Sequence, residues 1–264
     1  MFVSFFFLTL LRCMVFRVIL SGTSKVVKFP QLRRFLSDEM DLGDMRKPYY
    51  TPEETFDVDK LVDVKDPFGQ FTAWMEETIA SKKVEEPNAM VLSTVSKDGQ
   101  PSSRVLLLKH YDPNGFVFFT SYDSKKGKEL AENNKAAILF YWPHFNRQIR
   151  VEGIVDQLST EAADAYWARR PYKSQISAAS GYVQSQVVPS KQALVDKIKE
   201  THEKYPEPGP VPRPTNWGGY RLEAKLFEFW QGQTNRDHDR LQFLPTSETD
   251  EAGNVVWKVE RLAP

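Results

Sequence analysis

Cysteine is scarce in this sequence, with one residue in 264. One cysteine cannot form an internal disulfide, and no spacing of Cys and His suits a structural zinc ion, so we predict an intracellular chain without a metal site. Net charge is lacking too, because 35 Lys and Arg balance 35 Asp and Glu. The apolar share of 41% is enough for a packed core, which excludes a wholly disordered chain, a collagen and a coiled coil.

Acidic residues are missing from residues 1–37, which carry six Lys and Arg. Without them the chain has 29 basic against 35 acidic groups, a net charge of −6 that gives nucleic acid no general attraction. Arg12 and Arg17 interrupt the apolar start, which is therefore a poor membrane span, and no secretory signal is evident. The segment matches an organelle transit peptide, which implies a mitochondrial protein, or a disordered leader on a cytoplasmic one.

The remaining chain divides into a polar N-terminal extension, residues 38–66, and one domain, residues 67–264. Asp66 and Pro67 are typical of a helix start, and apolar residues follow at helical spacing up to Ile79. Two further helices are predicted over 159–169 and 190–205. Short β runs, separated by turns, are predicted over 89–95, 102–110, 116–122, 136–142, 147–158, 220–230, 240–244 and 255–261. This pattern favours an α+β fold, an antiparallel barrel with helices packed outside.

Four polar clusters interrupt the β segments. Arg104 and Lys109 are five positions apart, so a regular strand would point them to opposite faces, where they could serve two anions; otherwise they are solvated charges flanking a strand. Residues 120–128 combine hydroxyls, lysines and a glycine at a strand-to-helix turn, which suits a phosphate or else a solvated basic turn.

The other two clusters lie further along the chain. Tyr166 to Ser174 includes two arginines near a helix end, which suit a phosphate but also ordinary compensation of the helix dipole. Residues 230–240 are dense in hydrogen-bond donors, and the neighbouring arginines favour the neutral form of His238. Together the clusters hold more anion-binding groups than one phosphate needs, which predicts two phosphorylated ligands.

Several motifs resemble those of the pyridoxine/pyridoxamine 5'-phosphate oxidase family, in order from about Met40 to Pro264. They are R-x-L-L-L-K at 104–109, F-F-T at 118–120, S-K-K-G-K-E-L at 124–130, N-R-Q-I-R-V-E-G at 146–153, W-G-G-Y at 217–220, E-F-W-Q-G-Q-T-N-R at 228–236 and H-D-R at 238–240.

The resemblance implies a split β-barrel homodimer with flavin mononucleotide (FMN) at the subunit interface. It implies oxidation of pyridoxine 5'-phosphate and pyridoxamine 5'-phosphate to pyridoxal 5'-phosphate, with oxygen reduced to hydrogen peroxide and no nucleic acid or membrane partner. The FMN contacts it implies are Arg104, Val105, Leu106, Leu107, Phe119, Thr120, Lys125, Lys126, Gln148, Gln184, Ser185, Trp230 and Arg240.

The implied substrate contacts form a second set. The phosphate would be bound by Lys109, Tyr166, Arg170 and Ser174, and the ring by Arg236, Asp237 and His238, with Arg236 and His238 as the catalytic pair. Two departures from the family pattern stand out: Asp237 occupies a position expected to be apolar, and residues 178–183 are one residue longer than expected, which affects Gln184 and Ser185.

Two other functions fit parts of the sequence. A flavin binder without catalysis would keep the FMN contacts and lose the substrate contacts, which are all present here. A nucleic-acid binder would use the basic residues 125–128 with nearby aromatics, against the acidic charge of the domain.

Overall fold

The computed structural model describes residues 17–20, 23–26, 55–234, 236–251 and 253–264. The chain forms two compact units, Met1–Lys47 and Pro48–Pro264. In the first unit, strand β1 (Arg17–Leu20) pairs antiparallel with β2 (Thr23–Val26). Most of the predicted leader and extension lies outside the described residues.

The second unit contains five α-helices and nine strands among its described residues, after a short 3-10 helix at Val58–Lys60. The helices are α1 (Pro67–Ser81), α2 (Lys125–Glu132), α3 (Thr160–Ala168), α4 (Tyr172–Ala179) and α5 (Lys191–Lys204). The strands are β3 (Ala89–Val95), β4 (Pro101–Leu107), β5 (His110–Asp112), β6 (Gly115–Ser121), β7 (Lys135–Trp142), β8 (Arg147–Gln157), β9 (Trp217–Gln231), β10 (Asp239–Thr249) and β11 (Val255–Arg261).

The nine strands form one antiparallel sheet in the order β11-β10-β9-β8-β7-β3-β4, and β6 joins it by pairing with β9 and β5. The predicted α+β class with an antiparallel sheet is therefore confirmed. Alternation along β8 separates the two faces: Ile149 and Val151 are fully buried, whereas Gln148 and Arg150 lie on the other face.

Two apolar cores stabilise this unit. The larger lies between the inner face of the sheet and α1 and contains Phe71, Phe140 and Phe227. The smaller, around Trp167 and Trp217, joins α3, α4 and the start of β9. The candidate site residues lie around both cores, so the packing of the cores fixes their positions.

The predicted helix start is correct, but the side chain of Asp66 makes no capping hydrogen bond. Ile79, predicted on the buried face of α1, is 57% exposed. The buried face of α1 is centred on Phe71, Trp74 and Thr78, which leaves Ile79 at its edge in the last turn.

The predicted strand over 102–110 is two strands. β4 ends at Leu107, where the main-chain N–H of Leu108 donates to Asn88, and that of Lys109 donates to Val117 of β6. The chain thus exchanges β3 for β6 as its partner.

Helix α4 was not predicted from the sequence, since its eight residues carry one fully buried apolar side chain, Ile176.

Candidate active site

The first cluster surrounds Lys126 at the start of α2. The side chain of Ser124 caps this helix by accepting a hydrogen bond from the main-chain N–H of Gly127. Lys126 is only 4% exposed, and its ammonium donates to Gln184 Oε1 at 2.8 Å, Thr120 Oγ1 at 3.2 Å and Ser124 Oγ at 3.4 Å. The structure therefore brings Thr120, Lys126 and Gln184 together.

The electrostatics of this cluster favour an anion. Burial, reinforced by the charge of Arg104, lowers the pKa of Lys126 to about 8. Within the described part of the chain, the Lys126 ammonium donates to neutral oxygens and forms no ion pair with a carboxylate. A buried cation without a carboxylate partner is suited to bind a phosphate.

The carboxylate of Glu129, on α2, links Arg104 to the same region. It donates to the Thr94 hydroxyl at 2.6 Å and the Ser102 hydroxyl at 2.6 Å. Glu129 accepts from these two hydroxyls, lies 3.4 Å from Arg104 and pairs with Lys125 at 3.3 Å. Burial alone would raise the pKa of Glu129, but the hydrogen bonds from Thr94 and Ser102 outweigh it and hold that pKa below its usual value.

Strand alternation divides the residues predicted on β4. Arg104 and Leu106 lie on the inner side of the strand, whereas Val105, which is 63% exposed, and Leu107 lie on the outer side. The side chains of the four residues therefore do not line one surface of a single chain.

The second cluster surrounds Arg170 in the smaller core. The rings of Phe119 and Tyr166 stack with centroids 3.9 Å apart, and the Trp217 ring is nearly parallel to both, 5.6 Å from Phe119 and 6.2 Å from Tyr166. The Arg170 guanidinium lies 4.6 Å from the Trp217 ring centroid and donates to the carbonyl of Ser174 at 3.1 Å. Its Nε is buried without a hydrogen-bond partner, so this cluster also holds an unused cationic donor.

Lys109 belongs to this second cluster. Burial, followed by the nearby charge of Arg170, lowers the pKa of Lys109, and burial lowers the pKa of Arg170. Burial raises the pKa of Tyr166, so its hydroxyl stays protonated as a donor. The four predicted substrate-phosphate residues thus lie in one region, where the positive charges of Lys109 and Arg170 repel each other.

Strand β6 connects the two clusters. Phe119 and Thr120 are consecutive, so their side chains lie on opposite faces of the strand, one packed on Tyr166 and the other bonded to Lys126. The sequence reading assigned this division to Arg104 and Lys109. That argument does not hold, because β4 ends before Lys109.

A third group lies on the outer face of the sheet. Gln148, Trp230 and Arg240 are directly opposite one another on β8, β9 and β10 and share that face. Arg240 donates to the buried carboxylate of Glu228 at 2.7 Å. In the register of the sheet, Val105 is on the same outer face, while Arg104 is on the inner one.

The loop after β9 carries the predicted catalytic pair. His238 accepts a hydrogen bond at Nδ1 from the main-chain N–H of Gln233 at 3.0 Å, and its ring lies 4.9 Å from Trp230. Burial, followed by the charge of Arg236, lowers the pKa of His238. Arg236 and Asp237 are exposed. A shallow cavity of about 320 Å³ adjoins them, lined by Asp237, His238 and residues 261–264.

The sequence reading missed several residues that contact the predicted ones. They are Glu129, Trp217, Glu228, Gln233 and Asp239. All five stand within motifs quoted for the resemblance, so the signal was available there. Ser185, in contrast, has a φ of +77° in the turn after Gln184 and makes no contact with Lys126 in the hydrogen bonds described.

No helix in the described part of the chain combines the length and apolar character that a membrane span requires. Among the same residues, no group of three or more His, Cys, Asp or Glu side chains is arranged to bind a metal ion.

Comparison with known proteins decides the family. The pyridoxamine 5'-phosphate oxidase family model matches residues 75–205, and a model of the pyridoxine 5'-phosphate oxidase C-terminal dimerisation region matches residues 217–264. Pyridoxine-5'-phosphate oxidase of Bos taurus is 42% identical over 94% of this chain and 98% of its own length. This chain belongs to the pyridoxine/pyridoxamine 5'-phosphate oxidase family.

A plant relative is similar over most of this chain. The chloroplastic pyridoxine/pyridoxamine 5'-phosphate oxidase 1 of Arabidopsis thaliana is 47% identical over 92% of the chain, which spans only 43% of that relative's length.

Solved structures support the fold. PhzG from Burkholderia lata, in complex with tetrahydrophenazine-1-carboxylic acid, superposes with a TM-score of 0.68 and 29% identity over 76% of this chain and 93% of its own. A pyridoxamine 5'-phosphate oxidase-related, FMN binding protein from Nostoc punctiforme has a TM-score of 0.57 and 18% identity over 75% of this chain and 98% of its own, which speaks for the fold alone.

Proposed function

We propose that this chain is an FMN-dependent oxidase that converts pyridoxine 5'-phosphate and pyridoxamine 5'-phosphate to pyridoxal 5'-phosphate, with oxygen reduced to hydrogen peroxide. The observation that carries the proposal is the pair of buried cation clusters on either side of β6, in a member of this family. One cluster contains Lys126, which forms no ion pair with a carboxylate among the described residues, and the other contains Arg170, whose buried Nε has no hydrogen-bond partner. Two phosphorylated aromatic ligands would use both.

The Lys126 cluster fits the phosphate of FMN. Lys126, the hydroxyl of Thr120 and the start of α2 offer a positive charge and neutral donors. Arg104 and Lys125 add charge, and Glu129 holds both in place. When bound, FMN supplies the two-electron acceptor for the oxidation.

The Arg170 cluster fits the phosphate of the substrate. An anion there relieves the repulsion between Lys109 and Arg170, and it gains donors from Tyr166 and Ser174. Arg236 and His238 then contact the substrate ring from their loop, where Arg236 stabilises negative charge as a proton leaves. By binding both molecules at fixed positions, the chain turns an encounter in solution into a reaction within one complex.

The site is completed by a second copy of the chain. Gln148, Trp230 and Arg240 lie on the outer face of the sheet, whereas Arg104 lies on the inner face, so one chain does not present them to the same ligand. Val105 and Tyr141, 63% and 52% exposed, give that outer face the apolar character of an interface. We therefore propose a split-barrel homodimer, in agreement with the dimerisation region matched at residues 217–264.

The decisive experiment uses the purified full-length chain. We expect a yellow protein with bound FMN that forms peroxide with pyridoxine 5'-phosphate and not with unphosphorylated pyridoxine. Bound flavin without peroxide would favour a non-catalytic flavin binder. Flavin-free protein with salt-sensitive RNA binding would favour a nucleic-acid binder.

The location of the enzyme depends on residues 1–37. If this segment is a transit peptide, a fluorescent protein that carries it will enter mitochondria. A fusion that stays in the cytoplasm would assign the segment no targeting role.

A further inference from the structure

We propose that Gln233 holds His238 as the tautomer with its proton on Nε2, so that His238 donates a hydrogen bond to the substrate and does not act as the base. Gln233 is a positioning residue in this proposal, which rests on the proposed function for the identity of the substrate. The tautomer itself follows from the contacts of the loop.

The direction of one hydrogen bond fixes the tautomer. The main-chain N–H of Gln233 points at His238 Nδ1 at 3.0 Å. A main-chain N–H can only donate, so Nδ1 must be the unprotonated acceptor. A neutral imidazole carries one proton, which is therefore on Nε2.

Gln233 is held firmly as a donor. It is 5% exposed, and its side-chain amide donates to Asp239 Oδ2 at 2.7 Å. Asp239 is itself buried and accepts from the main-chain N–H of Phe56 at 2.8 Å and from Arg261 at 3.1 Å. Turning the Gln233 N–H away from His238 would break this buried network, so the tautomer does not exchange freely.

The charges around the ring favour the same state. Arg236 and Asp237 precede His238 on the loop, and Asp239 follows it as the first residue of β10. Burial, together with the charge of Arg236, lowers the pKa of His238 despite the two carboxylates. A doubly protonated ring would place Nδ1–H against the N–H of Gln233. The ring is therefore neutral, and its tilted contact with Trp230 limits its rotation.

A neutral Nε2–H is a donor and has no lone pair with which to take a proton. The oxygen substituent on the pyridine ring of the substrate is the kind of acceptor that this donor suits. The proton lost during oxidation then leaves by a route other than His238.

The tautomer can be measured directly on the full-length holoenzyme. The chain has four histidines, so ¹⁵N-histidine labelling gives a simple spectrum, and the signal missing from His238→Ala identifies His238. Long-range ¹H–¹⁵N correlations distinguish the two tautomers. We expect protonation at Nε2 only, and protonation at Nδ1 would overturn the proposal even if the oxidase activity is confirmed.

Substitutions then test the role of the donor. The amide nitrogen of glutamine can reach the position of Nε2, and that of asparagine reaches only the position of Nδ1. We expect His238→Gln to keep kcat/KM within about tenfold of the wild type, and His238→Asn and His238→Ala to lose about 100-fold. His202→Gln, an exposed histidine on α5, is the matched control.

Equal losses of kcat/KM in His238→Gln and His238→Ala, with FMN content unchanged, would indicate that His238 acts as the base and would contradict the proposal. Gln233→Met keeps the length of the side chain and removes its bond to Asp239. We expect a mixture of His238 tautomers in its spectrum, and a spectrum identical to the wild type would contradict the positioning role of Gln233. Failure of the wild-type chain to oxidise any phosphorylated pyridoxine would overturn the proposed function alone. The NMR spectrum would still test the tautomer of His238.

Discussion

The Lys126 and Arg170 clusters each contain a cation, buried in the first cluster and half-buried in the second, and the surroundings of the two cations differ. Lys126 is surrounded by neutral oxygens of Thr120, Ser124 and Gln184 that occupy its three donors. Arg170 lies against the face of Trp217 and keeps a buried Nε unused. An ammonium is a compact charge that exchanges oxygen partners, whereas a flat guanidinium can be fixed by stacking. The first cluster must exchange partners to bind an anion, and the second is already organised for one.

The largest effect is expected at Arg170. Arg170→Ala removes a preorganised charge and its donors, so we expect kcat/KM for pyridoxine 5'-phosphate to fall about 100-fold while FMN content is unchanged. Steady-state kinetics and flavin absorbance measure both. The control is Arg169→Ala, an exposed neighbour. Loss of FMN in Arg170→Ala, with the substrate KM intact, would exchange the roles of the two clusters.

Lys126→Met should have the opposite effect to Arg170→Ala: it should weaken FMN binding and leave substrate binding unchanged. Because part of the binding free energy is used to exchange the partners of Lys126, we expect a smaller loss, about 30-fold in FMN affinity. At saturating FMN the KM for the substrate should be unchanged. Lys128→Met, an exposed lysine on the same helix, should bind FMN normally. FMN titration of the apoprotein by fluorescence quenching makes the measurement, and normal binding by Lys126→Met would exclude this cluster as the phosphate site.

The pKa of Lys126 gives this cluster a pH dependence. Its pKa of about 8 means that the ammonium is charged below pH 8 and increasingly neutral above it. Since the charged form binds phosphate, FMN affinity of the apoprotein should weaken as the pH rises through 8, by at most about tenfold per pH unit. The same titration series in Lys126→Met should lack this inflection. An unchanged inflection in that variant would assign it to another group.

The smallest effect tests the aromatic surroundings of Arg170. Trp217→Phe weakens the cation–π contact with Arg170, and Trp217→Leu removes it. We therefore expect KM for the substrate to rise about threefold in the first variant and about tenfold in the second. A merely structural role would instead lower the melting temperature of both variants without this graded change in KM. Thermal unfolding of each variant provides that comparison.

Much of the fold was predictable because local chemistry agreed with it. The strands over 89–95 and 255–261 have the predicted bounds, and the helices predicted over 159–169 and 190–205 begin directly after their caps, Ser159 and Ser190. The sequence pattern gave wrong strand bounds where tertiary contacts determine the end of a strand. Asn88 extends the pairing with β3 to Leu108, and the chain then leaves β4 because Val117 of β6 offers a new backbone partner to Lys109. Nothing in the sequence of the strand itself indicates this change of partner.

The residues of the candidate site also divide into those that the sequence suggested and those that only the folded chain shows. The residue types suggested the clusters of cations, and Gln184, placed after a stretch longer than the family pattern, contacts Thr120 and Lys126. The carboxylates and rings that orient the cations were not found. Glu129 lies 25 residues from Arg104, and Trp217 lies 47 from Arg170, so these pairs exist only once the chain is folded.

The carboxylate of Asp239 links parts of the chain that are made far apart in time. Phe56 precedes it by 183 positions, and Arg261, which binds both Asp239 and Phe56, lies on the last strand described. During synthesis on the ribosome, the loop that carries Arg236 and His238 therefore lacks its full support until β11 has been added. A nascent chain interrupted before that strand would hold most of its sheet and still have an unfinished loop.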